Sequence, residues 1–396
     1  MPRQLTRAIA LTVAVGLVVA TAAFFVLLAA RVDQQMNQVL RKPPYAPSVA
    51  ASALHRKLRI VDMHDDLLLW PRDPLERSST GSTDVPRLLE GNVALEIFST
   101  VSKTPRGQNY AGNSGETDNI TLLAAAERRP LDNWLTGKHL LARARWTSEK
   151  LHAVAARSHG RVTIVTSSTA LERALVARDT RRETLIVMLS LEGLQVLEGR
   201  AENLDTLLAL GFRMAGLTHF FDNDVAGSAH GLMKGGLSPL GREVVRAMER
   251  KGMIVDLAHV APAAVDEVLS IATRPLVVSH GGVAAVCAGP RNWTDDQLRR
   301  LKVNGGVIGI GFWDAAVCQP TPKGIAKAIR HAVSIAGIDH VGLGSDWDGA
   351  VAAVVDASGL ALITEALLNE DFTEDEIRKI MGENVIRLLL AGLPKN

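Results

Sequence analysis

Residues 253–280 read "MIVDLAHVAPAAVDEVLSIATRPLVVSH" and contain the repeating unit of the fold. Short apolar runs occupy 253–258 and 276–279, and the stretch 261–271 between them has the pattern of an amphipathic helix. A strand, a helix and a strand in this order form a parallel βαβ unit. A histidine follows each strand, His259 after the first and His280 after the second. Both lie at the strand ends where a parallel barrel gathers its functional side chains.

The same alternation of strands and helices extends over most of the chain. Eight such units favour an α/β fold of the TIM-type (β/α)8 barrel class, and a doubly wound open sheet is the alternative. No G-x-G-x-x-G follows the first strand and no P-loop occurs, so nucleotide binding has no support. A ninth apolar run at 161–167 is interpreted as an accessory strand. The other predicted strands are 60–64, 94–100, 185–190, 213–218, 306–311 and 341–345, and the other predicted helices are 131–158, 200–210, 239–251, 294–303 and 321–336.

The composition is that of a globular protein. Of 396 residues, 47% are hydrophobic and 33 are glycine, and no low-complexity run interrupts the chain. The formal net charge is +2, from 44 basic and 42 acidic residues. Because no clustered basic stripe is interleaved with aromatic residues, the sequence predicts no nucleic-acid partner.

The N-terminal segment differs from the rest. Residues 8–30 carry no charge, and as a helix they would extend roughly 34 Å, enough to cross a bilayer. Two arginines within residues 1–7 predict a cytoplasmic N-terminus, a transmembrane helix at 8–30 and a tether at 31–57. The barrel domain, 58–396, would then be membrane-anchored on the periplasmic or extracellular side. A cleaved signal peptide is the alternative to an anchor.

The only cysteines are Cys287 and Cys318. Export would permit a disulfide between them, and a pair of free thiols fits the sequence equally well. Two cysteines are too few for a structural zinc site, so any metal must be bound by histidines and carboxylates.

Polar side chains close most of the predicted strands. "VDMHDD" at 61–66 ends the first strand with a histidine and carboxylates, which are costly to bury unless a cation faces them. The candidate site residues at strand ends are His64, Asp66, Glu192, His219, His259, His280 and Asp346. The remaining histidines are interpreted as solvated or structural: His55, His139, His152, His159, His230, His331 and His340.

These residues suit a dinuclear metal centre. Three imidazoles and two carboxylates exceed the three protein ligands of one catalytic zinc, so Glu192 is predicted to bridge two metals about 3.5–4 Å apart together with a hydroxide. Nitrogen and oxygen ligands favour two Zn²⁺, though manganese, cobalt or iron would also fit. Such a centre hydrolyses amides, esters or phosphoesters. Asp346 is placed to transfer a proton, and His219 to polarise the substrate carbonyl.

The motifs resemble the membrane (renal) dipeptidase family of zinc metallopeptidases. The resemblance covers about residues 58–393, and "TDVPRLLEGNVALEIFS" at 83–99 resembles the family's second-strand region. The matching motifs are Asp62-x-His64-x-Asp66, Leu191-Glu192-Gly193, Leu217-Thr218-His219, Asp256-Leu257-Ala258-His259, Ser279-His280, Arg291-Asn292 and Gly344-Ser345-Asp346-x-Asp348-Gly349.

The resemblance implies a dinuclear zinc barrel that cleaves dipeptides, including those with a C-terminal D-residue; some members also open β-lactam rings. His64 and Asp66 would hold one metal, His259 and His280 the other, with Glu192 as the bridge. His219, Arg291 and Asp346 would bind substrate, and Asp346 would also transfer protons. A homodimer is common in the family.

Three features depart from the family pattern. Asp65 stands where members often have asparagine, the "SHGG" after the sixth strand is smaller than expected, and the polar insertion 101–130 has no assigned role. The rival functions are another dinuclear amidohydrolase or phosphotriesterase-like enzyme, and a membrane-tethered binding protein that has lost activity. The first rival commonly bridges its metals with a carboxylated lysine, and no lysine closes a predicted strand here.

Overall fold

Eight parallel strands close into a barrel in the computed structural model, which describes residues 2–120 and 139–396. Each barrel strand pairs with the next barrel strand along the chain, and the last pairs with the first to complete the ring. The barrel strands are β1 (Ile60–Asp65), β2 (Val93–Phe98), β4 (Leu185–Leu191), β5 (Phe212–Gly216), β6 (Ile254–Asp256), β7 (Val277–Gly281), β8 (Val307–Ile310) and β9 (Val341–Leu343).

The predicted barrel is therefore confirmed, and the open doubly wound sheet is wrong. All eight predicted barrel strands are present, although several are shorter than expected at their carboxyl ends. The accessory run 161–167 contains β3 (Val162–Ile164), which pairs in parallel with β4 alongside the barrel.

Helices follow most strands and cover the barrel. Within the described ranges they are α1 (Pro2–Met36), α2 (Val49–His55), α3 (Val85–Glu90), α4 (Leu140–Arg157), α5 (Ser168–Thr180), α6 (Asn203–Ala209), α7 (Pro239–Lys251), α8 (Pro262–Ile271), α9 (Asp295–Asn304), α10 (Asp314–Val317), α11 (Pro322–Ala336), α12 (Ala361–Leu368), α13 (Glu374–Arg378) and α14 (Asn384–Gly392). Helix boundaries agree with local capping, since Ser238 caps α7 and Thr294 closes a capping box on α9. The first part of the predicted helix 131–158 lies outside the described residues.

The strands are buried on both faces, as expected for a parallel sheet covered by helices. Val61 and Met63 of β1 and Leu95 and Ile97 of β2 alternate along their strands and belong to one buried apolar cluster. Because apolar side chains fill this part of the barrel, the polar side chains are left to its carboxyl end, where the site lies.

The N-terminal helix α1 contains the stretch 8–30. No helix in the described ranges is both long and apolar enough to cross a membrane, so the predicted transmembrane helix is not supported. Past α1, the backbone N–H of Leu40 donates to the Ala353 carbonyl at 2.9 Å and that of Ala353 to Gln38 at 2.8 Å. The segment after α1 is thus joined to the loop that follows β9.

Cys287 and Cys318 form a disulfide with a Cα–Cα distance of 5.2 Å. The bond connects the loop after β7 to the loop after β8. The alternative of two free thiols is therefore excluded in this structure.

Candidate metal centre

The carboxyl ends of six barrel strands bring the predicted site residues into one mouth. His64 and His280 lie within β1 and β7, and the others lie in the turns directly after β1, β4, β5, β6 and β9. The exposed fractions are small throughout: His64 1%, Asp66 2%, Glu192 5%, His219 5%, His259 3%, His280 0% and Asp346 6%. Residues far apart in sequence thus form a single buried polar cluster.

Glu192 lies at the centre of this cluster. Its Oε1 is 2.8 Å from Nε2 of His259 and 3.4 Å from Nε2 of His280. The same oxygen is 3.7 Å from Nε2 of His64, and Oε2 is 3.4 Å from Nε2 of His219. One carboxylate therefore faces four imidazoles, an arrangement that a cation between them would stabilise.

A second group of potential ligand atoms lies on the other side of His64. Its Nε2 is 3.7 Å from Asp66 Oδ2 and 3.9 Å from Asp346 Oδ1. Potential ligand atoms lie within 4.8 Å of one another in three overlapping groups: His64 with Glu192 and His280, Glu192 with His219 and His259, and His64 with Asp66 and Asp346. His219, predicted to bind substrate, therefore also lies within reach of a metal.

Two aspartate–serine pairs support the histidines from below. The Ser279 hydroxyl donates to Asp256 at 2.6 Å and lies 2.9 Å from Nδ1 of His280. Because the hydroxyl proton goes to Asp256, the hydroxyl oxygen accepts a hydrogen bond from Nδ1–H of His280. The Nε2 atom of His280 is then unprotonated, and its lone pair is available to a metal. The Ser345 hydroxyl donates its one proton to Asp62 at 2.6 Å, and its oxygen lies 3.2 Å from the backbone carbonyl oxygen of His64. The first pair therefore orients the His280 ring, and the second lies against the backbone of His64.

Burial controls the protonation of the cluster. Burial raises the pKa of Glu192 well above its usual value, that of Asp66 to about 8 and that of Asp346 to about 7. Burial lowers the pKa of His219, His259 and His280 well below the usual value of imidazole. Neutral imidazoles are ready to ligate, and the buried carboxylates need positive charge to ionise.

Several backbone positions at the mouth are unusual for residues with side chains. His259 and Asp346 have φ of 62° and 60°, and Asp348 has φ of 58°. These left-handed conformations cost energy in residues other than glycine and are concentrated at functional sites. At His259 and Asp346 the turn comes three residues after the strand and places the side chain in the mouth.

Arg291 lies in the loop after β7 and is 7% exposed. Its Nη2 donates to the carbonyl of His280 at 2.8 Å, and its guanidinium carbon is 5.1 Å from the centre of the Trp313 ring. Within residues 2–120 and 139–396, the Nε atom of Arg291 has no hydrogen-bond partner. Arg291 and Trp313 line a cavity of about 770 Å³ that also reaches Glu192 and Asp346.

The structure adds site residues that the sequence did not reveal. Tyr110, from the insertion without an assigned role, lines the cavity, and its hydroxyl lies 3.2 Å from Nε1 of Trp313. His230 is buried, and its ring stacks on Phe220 at 4.5 Å and lies 5.4 Å from that of His259, which agrees with the structural alternative of its interpretation. The signal for Tyr110 was slight: it is one of only two tyrosines in the chain.

The donor set fits divalent metal ions. Buried His64 Nε2 and Asp66 Oδ1 have no hydrogen-bond partner among the residues that the structure describes, and both lie in the cluster. Unpaired polar atoms of this kind are expensive to bury, and metal coordination satisfies them. All donors within the three groups are imidazole nitrogens or carboxylate oxygens, which suits zinc and similar ions.

The sequence is similar to those of known dipeptidases. Dipeptidase verJ of Clonostachys rogersoniana is 36% identical over 211 residues, 51% of this chain and 54% of that protein. The chain thus spans about half the length of that relative. An uncharacterized dipeptidase of Schizosaccharomyces pombe, C965.12, is 29% identical over 355 residues, 83% of this chain and 79% of that protein.

Solved structures share the fold. A metallo peptidase from Rhodobacter sphaeroides, liganded with a phosphinate mimic of the dipeptide L-Ala-D-Ala, matches with a TM-score of 0.70 and 22% identity over 85% of this chain and 99% of that one. The probable dipeptidase PvdM from Pseudomonas aeruginosa matches with a TM-score of 0.71 and 19% identity over 86% of this chain and 97% of that one.

The sequence model described as membrane dipeptidase (peptidase family M19) matches residues 49–391. That range includes every barrel strand and every candidate ligand. The chain therefore belongs to the membrane dipeptidase family, peptidase family M19.

Proposed function

We propose that this chain is a metal-dependent dipeptidase that binds two divalent cations, and that these cations are Zn²⁺. The observation that carries the proposal is the position of Glu192 Oε1, which is 2.8, 3.4 and 3.7 Å from the Nε2 atoms of His259, His280 and His64. A single carboxylate oxygen facing three imidazole nitrogens is suited to bridging metals, not to forming an ion pair.

The ligand roles that we propose are those that the family resemblance implies. His64 and Asp66 would hold one cation and His259 and His280 the other, with Glu192 shared between them. When bound, the cations supply a water that is nucleophilic near neutral pH and positive charge for the transition state. The Ser279 hydroxyl keeps Nε2 of His280 free for ligation by accepting its Nδ1 proton.

The remaining polar side chains act on the substrate. Arg291 binds the free carboxylate of a dipeptide, which places its single peptide bond over Glu192. His219, a neutral imidazole 3.4 Å from Glu192, polarises the peptide carbonyl. Asp346, whose pKa burial raises to about 7, accepts the proton of the attacking water and passes it to the leaving amine as the C–N bond breaks.

We include dipeptides with a C-terminal D-residue among the substrates. The support is the family resemblance and the L-Ala-D-Ala mimic bound by the Rhodobacter sphaeroides relative. Recognition through the carboxylate and the peptide carbonyl fixes the backbone of the substrate. It constrains the chirality of the C-terminal residue less.

The test combines metal analysis of the purified chain with a panel of L,L- and L,D-dipeptides, their C-terminal amides and a phosphotriester. We expect about two metals per chain, turnover of free dipeptides and loss of activity on chelation. Turnover of the phosphotriester alone would favour the rival hydrolase. Metal binding without turnover of any substrate would favour an inactive binding protein.

Three features stay predictions: membrane anchoring through residues 8–30, a periplasmic or extracellular location of the barrel, and a homodimer. The uncharged run and the arginines before it are the reason for the first two. Protease added outside intact cells or spheroplasts should digest the barrel domain, and a mature N-terminus near residue 31 would indicate a cleaved signal peptide instead. Light scattering of the purified chain tests the dimer.

A further inference from the structure

The cavity above the metal centre has a wall that comes from outside the barrel. Its lining extends from Glu192 and Arg291 to Leu28, Val32 and Met36 of helix α1. At about 770 Å³ it is in the upper part of the 300–1,000 Å³ range that is usual for small-molecule sites, so there is room for more than a dipeptide backbone. The helix contributes apolar side chains to this space.

The helix repeat explains how α1 can both dock and line the cavity. Leu28, Val32 and Met36 are four residues apart and therefore share one face of the helix. A second stripe is displaced by one residue along the helix and contains Ala29 and Asp33, and it continues to Asn37 just past the helix end. Ala29, Asp33 and Asn37 are 3%, 1% and 3% exposed. One stripe is therefore buried against the protein, while Leu28 and Met36 on the other remain 38% and 45% exposed.

Polar contacts hold the buried stripe in place. Asp33 Oδ2 lies 2.8 Å from Nε of Arg72, whose Nη2 lies 2.6 Å from Oδ2 of Asp348. Asn37 donates to Asp33 at 2.7 Å and accepts from the backbone N–H of Ala350 at 2.9 Å. All four side chains are buried or nearly so, so these contacts are little screened by water. They connect α1 to the loop that carries Asp346.

We propose that Val32 and Met36, which follow the predicted anchor 8–30, form a specificity wall that contacts a side chain of the bound dipeptide and selects apolar side chains. The proposal rests on the proposed dipeptidase function and names the substrate class for it. Arg291 and the metal ligands contact groups that every dipeptide has, so they do not distinguish one side chain from another. The wall has no polar side-chain atom that could replace the water lost by a charged side chain packed against it.

The experiment compares single variants of the full-length, metal-loaded chain: Val32→Ala, Met36→Ala and the control Leu17→Ala. Leu17 is on the same helix, is 64% exposed and does not line the cavity. Substrates are L-Ala-D-Ala, L-Leu-D-Ala and L-Ala-D-Leu. The readout is the ratio of kcat/KM for each leucine dipeptide to kcat/KM for L-Ala-D-Ala, because a general structural defect would lower all three values together.

In Val32→Ala or Met36→Ala we expect one of the two ratios to fall about tenfold, the lower end of what methylene contacts are worth in an apolar pocket, and we expect both ratios to be unchanged in Leu17→Ala. Val32→Trp should reduce the same ratio by narrowing the cavity. Ratios within twofold of the parent in all wall variants would overturn the wall and leave the dipeptidase function intact. A parent that cleaves none of the three dipeptides would overturn both.

Discussion

Replacing Arg291 with lysine tests how the substrate carboxylate is recognised. One guanidinium nitrogen of Arg291 already donates to the His280 carbonyl at 2.8 Å, and the group lies 5.1 Å from the Trp313 ring centre. The planar guanidinium can keep this contact and still present a second edge to a carboxylate. A lysine ammonium is a point charge on a different stem and cannot make both contacts with the same geometry.

The expected loss follows from the contacts that disappear. A hydrogen bond to a charged group contributes about 1.5–3 kcal/mol, which corresponds to a decrease of about 10- to 150-fold in kcat/KM. The buried cation–π contact with Trp313 adds up to about 2 kcal/mol when it is lost. Because Arg291 is close to the cluster without belonging to any of the three ligand groups, metal content should remain at the parental value.

The assay measures kcat/KM for a free dipeptide and for its C-terminal amide, together with metal content. Arg291→Lys should lower kcat/KM for the free acid and leave kcat/KM for the amide unchanged. Arg299→Lys serves as the matched control, because Arg299 is exposed on α9. Equal turnover of acid and amide by the parent would refute carboxylate recognition. So would an Arg291→Lys variant that cleaves free dipeptides as well as the parent.

Three further predictions address the metal centre, the disulfide and acid stability. Glu192→Gln should lose bound metal and activity together, and full activity with unchanged metal content would contradict the two-metal assignment. Replacing Cys287 and Cys318 with serine should lower the thermal midpoint, since closing a loop with a sequence separation of 31 stabilises by about 3–4 kcal/mol; an unchanged midpoint would contradict this. Burial lowers the pKa of His55 from 6.5 to about 4, so stability is lost as pH falls below 6.5 and the unfolded state takes up the proton. Denaturant titrations should show that His55→Gln removes about 2 kcal/mol of the loss between pH 8 and pH 5, and an identical pH dependence in both proteins would contradict this.

The barrel and its ligand positions were predictable because both depend on local patterns. Short apolar strands alternate with helices, and the residue types that follow each strand are visible in the sequence. Exact strand ends were not predictable. β6 ends at Asp256 instead of residue 258, because the Asp256 carboxylate accepts the N–H of Ala258 at 3.0 Å and that of Ser279 at 2.8 Å. The second of these contacts is with another strand and has no local signal.

Features formed by distant contacts were missed for the same reason. The continuation of α1 to Met36 and its docking depend on Arg72, nearly forty positions beyond Asp33, and on the loop after β9. Tyr110 reaches the cavity because the insertion pairs with the segment after β5 through the Asn113–Gly231 bridge. Neither contact leaves a periodic pattern in the chain. Pairing of the two cysteines was likewise left open by sequence and decided by their positions in space.

Two of the motifs acquire a physical meaning that ligand counting did not give them. Asp62 on β1 binds Ser345 just after β9, and Asp256 on β6 binds Ser279 on β7, with hydroxyl-to-carboxylate distances of 2.6 Å in both cases. Each aspartate precedes a histidine of the centre by two or three positions, and each serine directly precedes a site residue. Each of the two pairs therefore joins adjacent strands near their carboxyl ends, where the candidate ligands are located. The aspartates fix the spacing between the strands that carry the candidate ligands, and the separations of 2.8–3.9 Å between the candidate ligand atoms depend on that spacing.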